Sequence, residues 1–428
     1  MNFKILVKEG KKYSKLSGDN NLIHLDDLTG YNSIYGEKIT HGCLVILKIF
    51  KIINLRKIIK NIDKFIIKIT FFKPFYYNKK IKFIKKKYSY KIFQQDQLKA
   101  EFRILNKNEI SNYFLFNKKK KLKINIKSQR LYNGEDKFDK ILIILNSISK
   151  YVGKVYPGKN SIIREININY NNKFKYNKNK IKIFSKKIDK RFPIIINKII
   201  FDKYFIEFQS LDRPIIKNRK IKLNNVLKKT INKIQENILI IGGSQGIGKD
   251  VFNILRNNKK IFKIVTYYKN KINIKDNKIV IKKIDIEKNI KKINQIISNY
   301  APIKIFYFPT KKIFFDNKLD NKTTKDYEKM FFLLPLKLLN ENKNKNISFF
   351  YPSTSNIDIN KNSIYSKIKL KAEKKISKLF LKHNIPLSII RFPAINSRQS
   401  VSIINKNLPN LTDYLGINNS LMNKLFLI

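Results

Sequence analysis

Cysteine occurs once in 428 residues, at Cys43, tryptophan is missing, and there are only three histidines. A single cysteine excludes an internal disulfide framework. Carboxylates are also few. Asp and Glu number 30 against 92 Lys and Arg, a formal charge of +62. Such an excess ordinarily points to nucleic acid or an anionic membrane. Here Lys, Asn and Ile are over-used along the whole chain while glycine, proline and alanine are scarce, which reads as compositional drift, whereas a functional basic patch is local. No groove-entering motif accompanies the charge, so specific nucleic-acid binding is not expected. What survives is the steering of anionic ligands such as phosphorylated cofactors, coenzyme A or an acidic carrier protein. No uncharged run reaches membrane-spanning length, and Met1–Glu9 is too short in apolar residues for a signal peptide, so the expected location is cytoplasmic. The length fits about three domains of ~150 residues.

Two of the three histidines fall in one N-terminal stretch, Ser17-Gly18-Asp19-Asn20-Asn21-Leu22-Ile23-His24-Leu25-Asp26 followed by Thr40-His41-Gly42-Cys43. An Asp and a His five residues apart can converge on one water, the imidazole as general base and the carboxylate orienting or donating. This loop resembles that of the MaoC-like (R)-specific enoyl-CoA hydratases (hydratase 2), which reads Ser-Gly-Asp-x-Asn-Pro-Ile-His-x-Asp. The resemblance implies a hot-dog fold, a long helix wrapped by a curved antiparallel sheet, with Asp19 and His24 as the catalytic pair. Leu22 stands where the family has proline. Gly42, opening the apolar helix that continues through Leu44 to Phe50, is expected to stabilise the thioester enolate through its N–H and the helix dipole. His41 reads as a loop residue fixing the helix start, Asp26 as a loop-orienting residue and His383 as a surface loop residue. Ile69–Tyr76, with Pro74, resembles a strand segment of the same family.

Residues 118–224 are expected to form a second hot-dog without an Asp/His pair. Ile141–Gly153 reads as its central helix, and Tyr156-Pro157-Gly158-Lys159-Asn160-Ser161 resembles the turn that follows such a helix. A fused, chemically empty copy would complete the substrate tunnel of the first; an unrelated α+β insertion is the alternative. Residues 225–236 read as a linker plus a short helix. The expected domains are therefore 1–117, 118–224 and 237–428.

The third domain opens on the apolar run Ile238–Ile241, followed by Gly242-Gly243-Ser244-Gln245-Gly246-Ile247-Gly248 and a helix with Val251, Ile254 and Leu255 on one face. Strand, glycine loop and helix together are the dinucleotide-binding arrangement: Gly242 for the turn, Gly246 for the approach of the pyrophosphate, Gly248 for helix–strand packing, and the amides at Ser244, Gln245 and Ile247 facing phosphate. Further on, Ser353 ends a strand, and Tyr365 and Lys369 lie one helical turn apart. This order resembles the short-chain dehydrogenase/reductase family. The resemblance implies a doubly wound parallel α/β Rossmann sheet, with Ser353 (or Ser355) holding a carbonyl, Tyr365 donating a proton, and Lys369 lowering the Tyr365 pKa and binding the nicotinamide ribose. Asp285 matches the family aspartate near the adenine. The helix around Tyr327–Leu333 lacks the asparagine of the family's proton relay, and Phe308-Pro309-Thr310-Lys311 replaces its Asn-Asn-Ala-Gly. No acid ends the strand Ile261–Tyr267, and Lys269 follows it, which favours NADP over NAD.

A hydratase and a carbonyl reductase share the 3-hydroxyacyl thioester as intermediate. The expected function is a bifunctional enzyme of acyl-CoA or acyl-carrier-protein thioesters, a homodimer or homotetramer, with no resident metal. The alternatives are a nucleotide-sugar or small-ketone reductase that keeps the hot-dog region for binding, and a basic non-enzymatic binding protein.

Overall fold

A computed structural model describes residues 1–86, 89–105, 136–159, 161–173, 182–187, 193–212, 223–314, 319–397, 400, 408–416 and 419–427. The expected boundary at 117/118 and Asn160 of the turn lie outside them. The chain divides into two compact units, Met1–Ile215 and Ile216–Ile428.

The N-terminal unit is one antiparallel sheet of nine strands: β1 (Asn2–Phe3), β2 (Lys64–Phe71), β3 (Ile81–Lys86), β4 (Ser89–Gln94), β5 (Gln97–Leu105), β6 (Ser161–Asn171), β7 (Lys182–Lys187), β8 (Ile194–Phe201) and β9 (Tyr204–Asp212). Their spatial order is β1-β3-β4-β5-β2-β6-β9-β8-β7. It contains a repeat. In each half a long helix (Gly42–Ile52, then Lys137–Lys150) leads into a strand, three strands meander back, and the last of them pairs with the first. The two halves join through the β2–β6 ladder, Ile67 opposite Ile168. Alternation puts Phe65, Ile67 and Ile69 of β2 and Ile166, Ile168 and Tyr170 of β6 on the covered face, where both helices bury their apolar stripes in one common core. Each fully buried isoleucine contributes about 1.5–3 kcal/mol. Asp136 starts the second helix, accepting from Asp139 N at 2.8 Å. The helix expected over Ile141–Gly153 thus starts earlier, at Lys137, and beyond Lys150 it loosens into a π-helical turn, Tyr151–Val155. An 11-residue helix, Val7–Ser17, precedes the Asp/His loop.

The C-terminal unit is a parallel sheet of six strands, β10 (Asn237–Ile241), β11 (Lys263–Tyr267), β12 (Ile279–Lys283), β13 (Ile303–Tyr307), β14 (Ile347–Thr354) and β15 (Leu387–Phe392), in the order β12-β11-β10-β13-β14-β15. This is the doubly wound Rossmann order, reversing direction between β10 and β13, the switch point at which sheets of this kind bind ligands beyond the strands' carboxyl ends. Buried on both faces, the strands read as continuous apolar runs. Phe349 and Tyr351 of β14 pack into one core with the helix Ile364–His383, while Phe350 packs into the other with the helix Gly246–Leu255. The segment expected as a linker belongs to this unit: the helix Asn225–Asn232 and Ile234 bury Leu227, Ile231 and Ile234 against Met422, Leu425 and Phe426. No helix among the described residues is long and apolar enough to cross a membrane.

Candidate active sites

In the N-terminal unit, the helix Val7–Ser17 ends on Gly18 in the left-handed conformation (φ +76°), which turns Asp19 into the core, 3% exposed. Its carboxylate has two anchors. Oδ1 accepts from Asn21 N (3.2 Å) and Oδ2 accepts from the Ser149 hydroxyl (2.6 Å). Asn21 also caps the short helical turn Leu22–Leu25. Leu22 is the first residue of that turn, the position where proline's fixed φ suits a helix, and here the Asn21 cap does the fixing. His24 rides on this turn with Nδ1 2.8 Å from the Ile39 carbonyl oxygen. A carbonyl only accepts, so Nδ1 carries the proton and Nε2 is the basic nitrogen.

His41 does more than start a helix. Its buried ring stacks on that of His24, centroids 3.9 Å apart and planes at 29°, with Tyr13 edge-on to it at 5.0 Å. Nε2 lies 3.3 Å from the Asp19 carbonyl oxygen and 4.0 Å from its Oδ2. Burial, and then the His24 charge, hold the His41 pKa well below the usual histidine value, with the Asp19 carbonyl opposing. It is a neutral ring at physiological pH. The ligand atoms of Asp19, His24 and His41 lie within 4.8 Å of one another. Because the imidazole planes are nearly parallel, their in-plane lone pairs do not meet at one ion, so the arrangement suits proton transfer better than metal ligation.

Gly42 begins the buried helix, and its N–H is among the amides a helix start leaves without an intrahelical partner. A Cβ there would lie 2.9 Å from the Phe71 ring. Cys43 is no nucleophile: burial, then the Asp19 charge, push its thiol far up. Asp26 caps the next helical turn, accepting from Thr29 N at 2.6 Å. Ser149 was invisible to sequence reasoning, since nothing local marks a serine 130 residues from the loop it touches.

In the C-terminal unit the glycine loop leaves β10 at the switch point. Gly242 has φ +82°, and a Cβ on it would press on the Phe308–Pro309 backbone at 3.1 Å; one on Gly248 would lie 2.5 Å from Gly242 O. A side chain at either would push helix, loop and strand apart. A Cβ on Gly246, by contrast, would make ordinary contact with the Ser397 side chain at 3.9 Å. Ser244, Gln245, Gly246 and Ile247 are half-buried, and the helix Gly246–Leu255 starts here. The loop is tied to β11 through Gly242 N to Thr266 Oγ1 (3.2 Å) and Gly243 N to Thr266 O (3.0 Å). Beyond β11, Lys269 is exposed with its ammonium 5.8 Å from the Tyr268 ring centre, and the buried side-chain nitrogen of Asn270 has no hydrogen-bond partner. Asp285 accepts from Glu287 N at 3.1 Å. A half-buried glycine loop at a helix start and an orphaned donor at the end of β11 fit a dinucleotide.

Tyr365 and Lys369 lie on the helix Ile364–His383, both buried. The hydroxyl bonded to Tyr365 is that of Thr354, at the very end of β14. Ser353 shares strand parity with Phe349 and Tyr351 and is buried, its hydroxyl without a partner. Ser355 instead precedes a helical turn, Asn356–Ile359. Burial pushes the Tyr365 hydroxyl up, with Thr354 opposing. Lys369, 4% exposed, donates to Pro352 O at 2.6 Å and lies over the rings of Tyr351 (4.3 Å) and Phe331 (4.9 Å). Burial lowers its pKa to about 7, against the pull of Glu373. Glu373 is itself bound two-pronged by Arg391, Nε to Oε1 at 3.0 Å and Nη2 to Oε2 at 2.6 Å.

Where the asparagine is missing, Glu328–Leu333 is a π-helix. Two of its carbonyls are taken by buried tyrosines of the sheet, Tyr307 to Met330 O (2.7 Å) and Tyr351 to Phe331 O (2.6 Å). Tyr327 stands edge-on to Tyr365 at 6.0 Å and donates to the carbonyl of Lys312, a lysine that burial lowers to about 8. His383 ends the long helix and is half-buried, not a loop residue.

No protein family and no curated protein matches the chain. Solved structures similar to part of it include a short-chain dehydrogenase family protein from Francisella tularensis (16% identity, TM-score 0.38, 45% of this chain and 91% of that one). Another is a short-chain dehydrogenase from Burkholderia cenocepacia in complex with NADP (11%, TM-score 0.37, 42% and 82%). A third is UDP-glucose 4-epimerase from Thermotoga maritima (18%, TM-score 0.31, 36% of this chain), of which the chain spans 54%.

Proposed function

We propose that the N-terminal unit is a double hot-dog of the MaoC-like hydratase kind, that the C-terminal unit is a short-chain dehydrogenase/reductase, and that together they interconvert 3-oxoacyl, (R)-3-hydroxyacyl and 2-enoyl thioesters. The observation that carries the reading is the buried Asp19 carboxylate beside the half-buried His24, with the His24 tautomer set by Ile39 O so that Nε2 is the base. In hydration, His24 Nε2 takes a proton from a water positioned by the Asp19 carboxylate. The water oxygen bonds to C3 of the enoyl thioester, the electron pair moves to the thioester oxygen near the Gly42 N–H, and a proton is returned to C2. Dehydration runs the same steps backwards.

In the C-terminal unit the glycine loop, Lys269, Asn270 and Asp285 would hold a nicotinamide dinucleotide, NADP for preference, which supplies the hydride when bound. Tyr365 gives its proton to the carbonyl oxygen of the 3-oxoacyl substrate. The orphaned Ser353 hydroxyl, on the face of β14 that packs against the helix Ile364–His383, would donate to the same oxygen, and Thr354 would hold the Tyr365 hydroxyl in position. Lys369 supplies positive charge behind Tyr365. The partner is then a coenzyme A or carrier-protein thioester. Assays on the full chain test both halves: hydration of crotonyl-CoA, and NADPH oxidation with acetoacetyl-CoA. Activity in both is expected. A chain that reduces small ketones but neither reduces nor hydrates thioesters overturns the assignment.

A further inference from the structure

The half of the nine-stranded sheet without an acid–base motif has its own hold on the Asp19 carboxylate. Ser149, in the last turn of the helix Lys137–Lys150, donates to Asp19 Oδ2 at 2.6 Å, both groups buried. One turn on, Gly153 lies in the π-helical segment Tyr151–Val155, and a Cβ on it would fall 2.1 Å from Asp19 Oδ1. The same helix end closes on the loop from a second side, since a Cβ on Gly18 would meet the Lys150 side chain at 3.2 Å. Because the π-turn follows at Tyr151, two residues after Ser149, the hydroxyl and the bare backbone of Gly153 reach the two carboxylate oxygens from one segment.

We infer that Ser149 and Gly153 are positioning residues for the hydratase step, and that the second half of the N-terminal unit completes the catalytic site of the first. Ser149 fixes Oδ2, Gly153 leaves room for Oδ1, and the carboxylate keeps one orientation toward the water that His24 activates. The inference rests on the hydratase reading above. A group that orients a catalytic carboxylate acts on turnover more than on substrate affinity.

The test uses the full chain and crotonyl-CoA. Ser149→Ala should lower kcat by about tenfold to hundredfold, the loss expected for one charge-assisted hydrogen bond, with KM changed by less than about threefold. Ser149→Thr, which keeps the donor, should recover most of the rate. Gly153→Ala should lower kcat at least as far. NADPH oxidation with acetoacetyl-CoA by the same preparations should stay at the parental value. Parental kcat in Ser149→Ala overturns the inference, as does a Ser149→Thr variant no better than Ser149→Ala. If the parent hydrates no 2-enoyl thioester, the hydratase reading fails on its own. The anchor is then decided by crystal structures of parent and Ser149→Ala: a carboxylate turned away from its parental orientation supports the anchor, and an unmoved one overturns it.

Discussion

The two sites bury their ionisable groups in opposite ways. Around Asp19 the charge is met by hydrogen-bond donors, Ser149 and the Asn21 amide, with the neutral His41 ring alongside. Around Lys369 the charge is met by two aromatic faces and one peptide carbonyl, and its carboxylate neighbour Glu373 is already bound by Arg391. A satisfied carboxylate can stay charged inside a protein. A cation with so few acceptors gives up its proton near neutrality, as the lowered Lys369 pKa states. The first site therefore meets its buried group with donors, and the second is built for a titrating charge.

The sharpest break between the two comes from removing one acid–base group at a time. His24→Ala and Asp19→Ala should each cut crotonyl-CoA hydration by roughly 10²–10⁴-fold and leave NADPH oxidation untouched. Tyr365→Phe should do the reverse by a similar factor. A Tyr365→Phe protein that still reduces acetoacetyl-CoA at the parental rate removes the reductase mechanism.

A smaller effect tests the titrating charge of the second site. In the native protein Lys369 loses its proton near pH 7, whereas in the unfolded chain it holds it to about 10.5. Between those values the unfolded state binds more protons, so stability from this residue rises with pH across that window. Its penalty is full below about 7 and gone above about 10.5. Lys369→Met should then stabilise the C-terminal unit at pH 6 by on the order of 2–4 kcal/mol, less at pH 9, read from denaturant unfolding at the two pH values. An equal gain at both would show that packing rather than charge is responsible. For catalysis the parental reduction rate should fall as pH rises through about 7, where the charge behind Tyr365 disappears.

Short contiguous motifs were legible in the sequence; side chains brought in from a distance were not. The Asp19–His24 loop and the Gly242–Gly248 loop each pack their polar groups and glycines into a few residues, and the apolar run Ile238–Ile241 announced a strand buried on both faces. The helix Val7–Ser17 was missed because its stripe is built from Tyr13, Gly10 and serines, not from aliphatic residues. Ser149 and Gly153 carry no local signal at all. Thr354 was passed over because the spacing to Tyr365 was sought from a serine, while the bonded hydroxyl sits at the strand's last residue. The missing asparagine was legible. The hold of Tyr307 and Tyr351 on the π-helix there was not, since those tyrosines come from two different strands.

The smallest expected effect is at Lys269, and its size follows from exposure. A buried charge-assisted contact to a 2'-phosphate would be worth a tenfold to hundredfold preference for NADPH, but Lys269 is exposed beyond β11. Exposed ion pairs contribute about 0.2–1 kcal/mol, so Lys269→Ala should reduce the NADPH-over-NADH preference by no more than about fivefold. The neighbouring Asn270, whose buried side-chain nitrogen has no protein partner, is better desolvated. Asn270→Ala should therefore weaken cofactor binding by at least as much as Lys269→Ala does. Ionic strength separates these contacts from the general attraction of a strongly cationic chain for the more anionic cofactor. Long-range steering fades above about 0.15 M salt, while a contact between neighbours fades less. Kd values for NADPH and NADH measured at high salt on parent, Lys269→Ala and Asn270→Ala decide the matter. A parental preference for NADH under those conditions would remove NADP from the assignment, and an NADPH preference unchanged in both variants would keep the cofactor and move its recognition away from the end of β11.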